Sequence, residues 1–160
     1  MRINNPVIRN ASVGPAATDF PTFIYIQPGN EAIGPLGTYI TLGQFNADNY
    51  SQFSGHPFGT YLMIQKIHLR GGAADAVIQE RVNLNGSGGI ILLDYLQYTV
   101  PAGTDYYRSG QIIVPLYGTI FPYIGWQFES SQTDCDIVGD GTIASGSSFY
   151  QLIELGTNDA

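Results

Sequence analysis

Asp134, Asp136 and Asp140 form the densest acidic cluster of this sequence, and calcium takes several hard oxygens from loops of that kind. The spacing departs from the helix–loop–helix calcium pattern, because Val138 holds a ligand position and no glutamate closes the loop. A solvated turn between strands is the better reading, and no metal is assigned. His56 and His68 are the only histidines, and no His-Glu-x-x-His pattern is present, so a zinc site is not built. His56 falls in the loop Ser54-Gly55-His56-Pro57. His68 alternates with Ile67 and Leu69 along a strand and is expected to face solvent or an interface.

Cys135 stands between two aspartates whose charges raise a thiol pKa, the wrong direction for a nucleophile. As the single cysteine it also leaves no intrachain disulfide. Ser87 and Ser145 lack the Gly-x-Ser-x-Gly elbow. The glycine-rich run from Gly86 to Gly89 is not followed by Lys-Ser/Thr and a helix, so it cradles no phosphate. Asp94 with Glu129 is the carboxylate pair that glycoside chemistry would need. Tyr95, Tyr98, Tyr106, Tyr107 and Tyr123 are suited to sugar stacking, or to packing within a sheet or on another subunit, and packing is the expectation. The sequence reads as a non-enzyme that carries no cofactor.

The elements that would position these residues are strands. Residues 112–128 contain no charged side chain, but Pro115, Gly118, Pro122 and Gly125 interrupt them every few residues. Proline clashes inside a helix, and the β-branched and aromatic residues between favour a pleated strand. Two buried strands meeting in a hairpin near Tyr117-Gly118 are expected. Others are expected over 22–27, 37–42, 61–70, 76–82, 90–100 and 148–155, giving about eight. In 61–70 the apolar positions change from even (Leu62, Ile64) to odd (Ile67, Leu69), which predicts a bulge near Gln65-Lys66. Asn85-Gly86-Ser87-Gly88-Gly89 is the strongest hairpin signal, and Trp126 is expected in the core. The fold class is all-β: an antiparallel sandwich or jelly roll over residues 22–156, preceded by an extended arm at 1–21 and followed by a flexible tail at 157–160.

Phe45, Tyr50, Phe53 and Phe58 punctuate an irregular stretch over 44–59. They form either a lid over a sheet edge or a partner contact. Charged residues make up 12% of the 160, about half the ~25% usual for a globular domain. The net charge of −7 comes from a shortage of bases: Lys66 is the one lysine, beside five arginines. A nucleic-acid partner needs a clustered positive surface, and an anionic membrane needs the same, so both are excluded as partners. Asn10, Asn49 and Asn85 open glycosylation patterns. The start lacks the apolar core of a signal peptide, so glycosylation is not expected and synthesis in the cytoplasm is.

The run Lys66-Ile67-His68-Leu69-Arg70-Gly71-Gly72-Ala73-Ala74-Asp75-Ala76-Val77 resembles a strand–turn–strand of small β proteins from tailed bacteriophages. So do the strand ending Val100-Pro101-Ala102-Gly103 and the stretches Ile113 to Tyr117 and Ile120 to Trp126. The resemblance is to capsid decoration, or cement, proteins. It implies a β-sandwich on the outer surface of a phage capsid that clamps neighbouring subunits, with the major capsid protein and further copies of itself (a dimer or trimer) as partners. The partner-binding residues expected are Arg2, Arg9, Phe45, Tyr50, Phe53, Phe58, Tyr106, Tyr107 and Arg108. The alternative is a carbohydrate-binding module or a receptor-binding fibre or tail component.

Overall fold

The computed structural model describes residues 22–46, 59–116, 118 and 120–157. Among these are β1 (Thr22–Ile26), β2 (Glu31–Ala32), β3 (Ile40–Asn46), β4 (Gly59–Arg70), β5 (Ala76–Gly86), β6 (Gly89–Val100), β7 (Asp105–Pro115), β8 (Tyr123–Ser130), β9 (Asp136–Ile137) and β10 (Phe149–Thr157), and no helix. Eight are long and two are two-residue pieces, which matches the expected number of strands. The arm over 1–21 lies outside the described residues, as do His56 and most of the aromatic loop.

The strands pair antiparallel into two sheets. In one, β1 pairs β10, β10 pairs β4 and β4 pairs β7, while the short β2 and β9 extend the β1 and β10 rows. In the other the order is β3-β8-β5-β6. Successive long strands cross repeatedly between the sheets, so this is the double Greek key of a jelly roll. Among the described residues four aromatic contacts bridge facing rows: Phe23 with Phe45 at 5.0 Å, Phe45 with Tyr61 at 6.3 Å, Trp126 with Tyr150 at 6.1 Å, and Tyr98 with Tyr106 at 5.1 Å.

Two local expectations are corrected. The apolar stretch over 112–128 is not a hairpin. β7, ending at Pro115, belongs to the first sheet and β8, starting at Tyr123, to the second. Nor is β4 bulged at Gln65-Lys66, since its register with β7 is unbroken from Thr60 opposite Pro115 to Arg70 opposite Asp105. Tyr61, Met63, Ile67 and Leu69 supply the core, while Leu62 and Ile64 lie half-buried on the opposite face. The hairpin at Asn85 to Gly89 forms as expected, with Gly86 opposite Gly89.

Two glycines are required by close approach. Gly43 sits in the irregularity of β3 with a φ of 36°, and a Cβ there would meet the Tyr25 ring at 2.2 Å. At Gly71 a Cβ would meet the Pro101 carbonyl at 2.3 Å. That contact joins the turn after β4 to the turn after β6, and Gly71 N–H donates to Thr104 O at 2.8 Å.

Candidate functional site

Glu80 breaks the apolar alternation of β5 and is buried between the sheets. Each carboxylate oxygen has two donors. Trp126 Nε1–H donates to Oε1 at 2.8 Å, where Arg108 Nη2 also binds. Tyr98 O–H donates to Oε2 at 2.8 Å, joined by Arg108 Nε at 3.1 Å. A bidentate guanidinium is the geometry in which a buried ion pair offsets its desolvation, and here the remaining lone pairs are used as well. Burial pulls Arg108 down, but the Glu80 charge outweighs it and the guanidinium is held above its ordinary value. Burial, then Glu80, pushes the Tyr98 phenol up. Arg108 comes from one sheet and the other three residues from the second, so the cluster clamps the sheets together beneath β6 and β7.

On the outer face of the first sheet, His68 is buried rather than facing solvent. Its parity is as expected, but Tyr107 stacks on it at 4.2 Å and the loop before β10 covers it. Nε2 lies 2.9 Å from Asp105 Oδ1 and Nδ1 lies 3.0 Å from Gly146 O. With both nitrogens engaged, the imidazole has no free position from which to activate a nucleophile. Its hydrogen bond holds the Asp105 carboxyl below the usual carboxylate value.

The covering loop is organised by Asp140. Its Oδ1 accepts from Ser145 Oγ, from Thr142 N–H at 2.9 Å, and from Ser147 Oγ at 2.9 Å. These bonds, Ser145 first, hold its carboxyl at about 2. The folded value is depressed, so the stabilisation is complete above the ordinary value of 3.8 and is lost as pH falls through about 2. Asp140→Asn is therefore expected to flatten the decline of melting temperature over that window relative to wild type. Parallel melts of the two proteins at stepped pH check it.

The acidic residues do not converge. Asp134 Oδ2 accepts from Ala73 N–H at 2.7 Å, while Asp140 serves its own loop. Among the described residues no group of three acidic, histidine or cysteine side chains could hold a metal. Cys135 is buried in the core, and burial, with Asp136 and Asp134, pushes its thiol up to about 11. Asp94 and Glu129 do not form a pair either. Asp94 shares a cross-strand row with Val82 and Trp126, and Glu129 shares one with Gln79, so they occupy opposite faces of their sheet. Glu129 Oε2 instead accepts from Gly37 N–H at 2.6 Å.

Of the expected partner-binding residues, Arg2, Arg9, Tyr50, Phe53 and Phe58 lie outside the described residues. Phe45 is fully buried against Phe23 and Tyr61 and presents nothing to a partner. Arg108 is committed to Glu80, and Tyr106 is half-buried on Tyr98. Tyr107 remains accessible, 58% exposed. What residue-by-residue reasoning missed is β6. Its mostly apolar run suggests burial, yet Ile90, Ile91, Leu92, Tyr95 and Leu96 are all exposed. The alternation of Leu96, Tyr98 and Val100 with Gln97 and Thr99 marks an inner face in the second half of the strand, while the run Ile90 to Leu93 carries no such mark.

No protein-family model matches the chain, and no curated protein is significantly similar to it in sequence. Solved structures do resemble it. A chain of the T13 particle of infectious bursal disease virus superposes with a TM-score of 0.57 at 12% identity, over 86% of this chain and 32% of that one. Eiger TNF from S. frugiperda gives 0.48 at 12% identity, over 88% and 96% respectively. The VP2 subviral particle of infectious bursal disease virus gives 0.46 at 10%, over 88% and 38%. The chain spans about a third of the length of the T13 particle chain. At such low identity the likeness shows the fold, and the chain is a jelly roll of the kind found in that particle.

Proposed function

We propose that this chain is a structural, non-catalytic protein of a virion, a jelly-roll domain that sits on the outer surface of a phage capsid and clamps neighbouring subunits. The observation that carries the reading is that a sandwich clamped from within still leaves an exposed apolar flank at β6 and β7, the mark of a subunit made to assemble rather than to diffuse alone. Monomers that stay in solution rarely display long, charge-poor edge strands, because these invite association. The charge-poor composition points the same way, since a surface shared with partners needs few solvating charges. The fold shared with a chain of a viral particle is consistent with it, although a jelly roll hosts many functions and the flank is the stronger argument.

The partner in this reading is the major capsid protein, and contacts made only in the assembled shell stabilise the shell by linkage. Synthesis would be in the host cytoplasm, with residues 1–21 as an anchoring arm. Quantitative mass spectrometry of purified particles tests the proposal. Copy numbers comparable to the main shell subunit are expected. A handful of copies would move the protein to a tail or fibre, and absence from the particle would overturn the reading in favour of glycan binding.

A further inference from the structure

The two flanks of the sandwich are built differently. On one, β1 has five residues, β2 has two, and β3 is interrupted between Leu42 and Phe45. Short and irregular edges are how sheets avoid pairing with other chains. On the other, β6 runs for 12 residues and β7 for 11, and neither contains lysine. The cation of this flank, Arg108, is turned inward to Glu80. The one charge on β6 is Asp94, whose Oδ1 accepts the Tyr95 N–H at 2.9 Å and so occupies one backbone donor at mid-strand.

On either side of Asp94 the strand is apolar. Ile90 and Leu92 share cross-strand rows with Asn85 and Asn83, which places them on the outer face, where they are 62% and 56% exposed. The rest of that face is polar: Gln127 accepts from Arg81 at 2.8 Å and from Asn83 at 2.7 Å, and donates to Thr41 at 2.8 Å. On this outer face the apolar residues are thus gathered at the β6 edge.

We infer that this flank is the self-association surface of the chain, occupied by β6 of a second copy across a two-fold axis. Three observations select a second copy. An antiparallel two-fold contact presents the same apolar row from both sides, and no other partner need be invoked to match it. The flank offers no free cation to an acidic partner, and away from it a chain of net charge −7 would meet its copy with like charges. Its size also suffices. Strands of this length span about 40 Å, and two sheets ~10 Å apart with their side chains make a face roughly 20 Å wide, or about 800 Å² per copy, the size of one side of a stable interface. Pairings that set Asp94 against its own copy are disfavoured, so the two-fold axis lies to one side of it.

Sedimentation equilibrium of the full chain over a concentration series tests this, alongside an Ile90→Lys/Leu92→Lys variant. The wild type is expected at twice the 17.3 kDa chain mass, and the variant at the chain mass with an unchanged circular dichroism spectrum. If the variant does not fold, amide exchange on wild type decides: β6 amides should slow as concentration rises while β1 amides do not. A wild type that is monomeric throughout, an oligomer the variant retains, or concentration-independent exchange in β6 would overturn the inference. Particle copy number tests the proposed function separately, so the two can fail independently.

Discussion

Arg108→Ala is expected to destabilise the fold by about 3 kcal/mol, the lower end of the ~3–5 kcal/mol typical when one partner of a buried ion pair is removed. The lower end applies because the Arg108 side chain is 19% exposed, whereas that of Glu80 is 2% exposed. The loss comes less from the missing attraction than from what remains. Glu80 keeps Trp126 Nε1–H and Tyr98 O–H as donors, but its charge stays between the sheets without a counter-ion. Adding Glu80→Gln removes that charge while leaving an oxygen for Trp126. The double variant should therefore be more stable than Arg108→Ala alone. Urea unfolding of wild type, both singles and the double closes the cycle. If the double were as destabilised as the sum of the singles, the stranded charge would not be the cause.

This cluster also marks how far the sequence could be read. The broken alternation at Glu80 is visible without any structure, because a carboxylate amid Ile78 and Val82 is out of pattern. Its partner is not visible, since Arg108 lies in another sheet and nothing local ties the two. The hairpin at Asn85 to Gly89 was legible because glycine-rich turns act locally. The change of sheet from β7 to β8 was not, because an apolar strand leaving for the opposite sheet has the same pattern as one folding back beside its neighbour. In β4 the apolar Leu62 and Ile64 obscured which parity faces the core. For β6 the strand itself was legible, but its place was not, because a mostly apolar run does not say whether a strand is central or at an edge, and the sheet order shows that it is an edge. The candidate interaction surface was thus hidden behind a correct assignment of the strand that forms it.

Trp126→Ala is expected to have the largest effect of any single substitution, about 5 kcal/mol, at the top of the ~3–5 kcal/mol range for removing a buried large aromatic. Trp126 is 1% exposed, packs on Phe128 at 5.0 Å and meets Tyr150 of the facing sheet edge-on. Its removal opens a cavity between the sheets and takes away one of Glu80's four hydrogen bonds, so both costs fall at one point. Such a loss matches the whole stability of a marginal domain, ~5–15 kcal/mol, and the variant is expected to accumulate as insoluble protein. Trp126→Phe shifts the balance of the two costs, because it keeps an aromatic ring in place, opens a smaller cavity than alanine and removes the donor to Oε1. A net loss of ~1.5–3 kcal/mol is expected, the range for a hydrogen bond to a charged group. Urea midpoints of Trp126→Phe, measured with and without Glu80→Gln, give the decisive comparison. If neutralising Glu80 does not shrink the penalty, the loss is one of packing and not of the bond that Trp126 donates to Glu80.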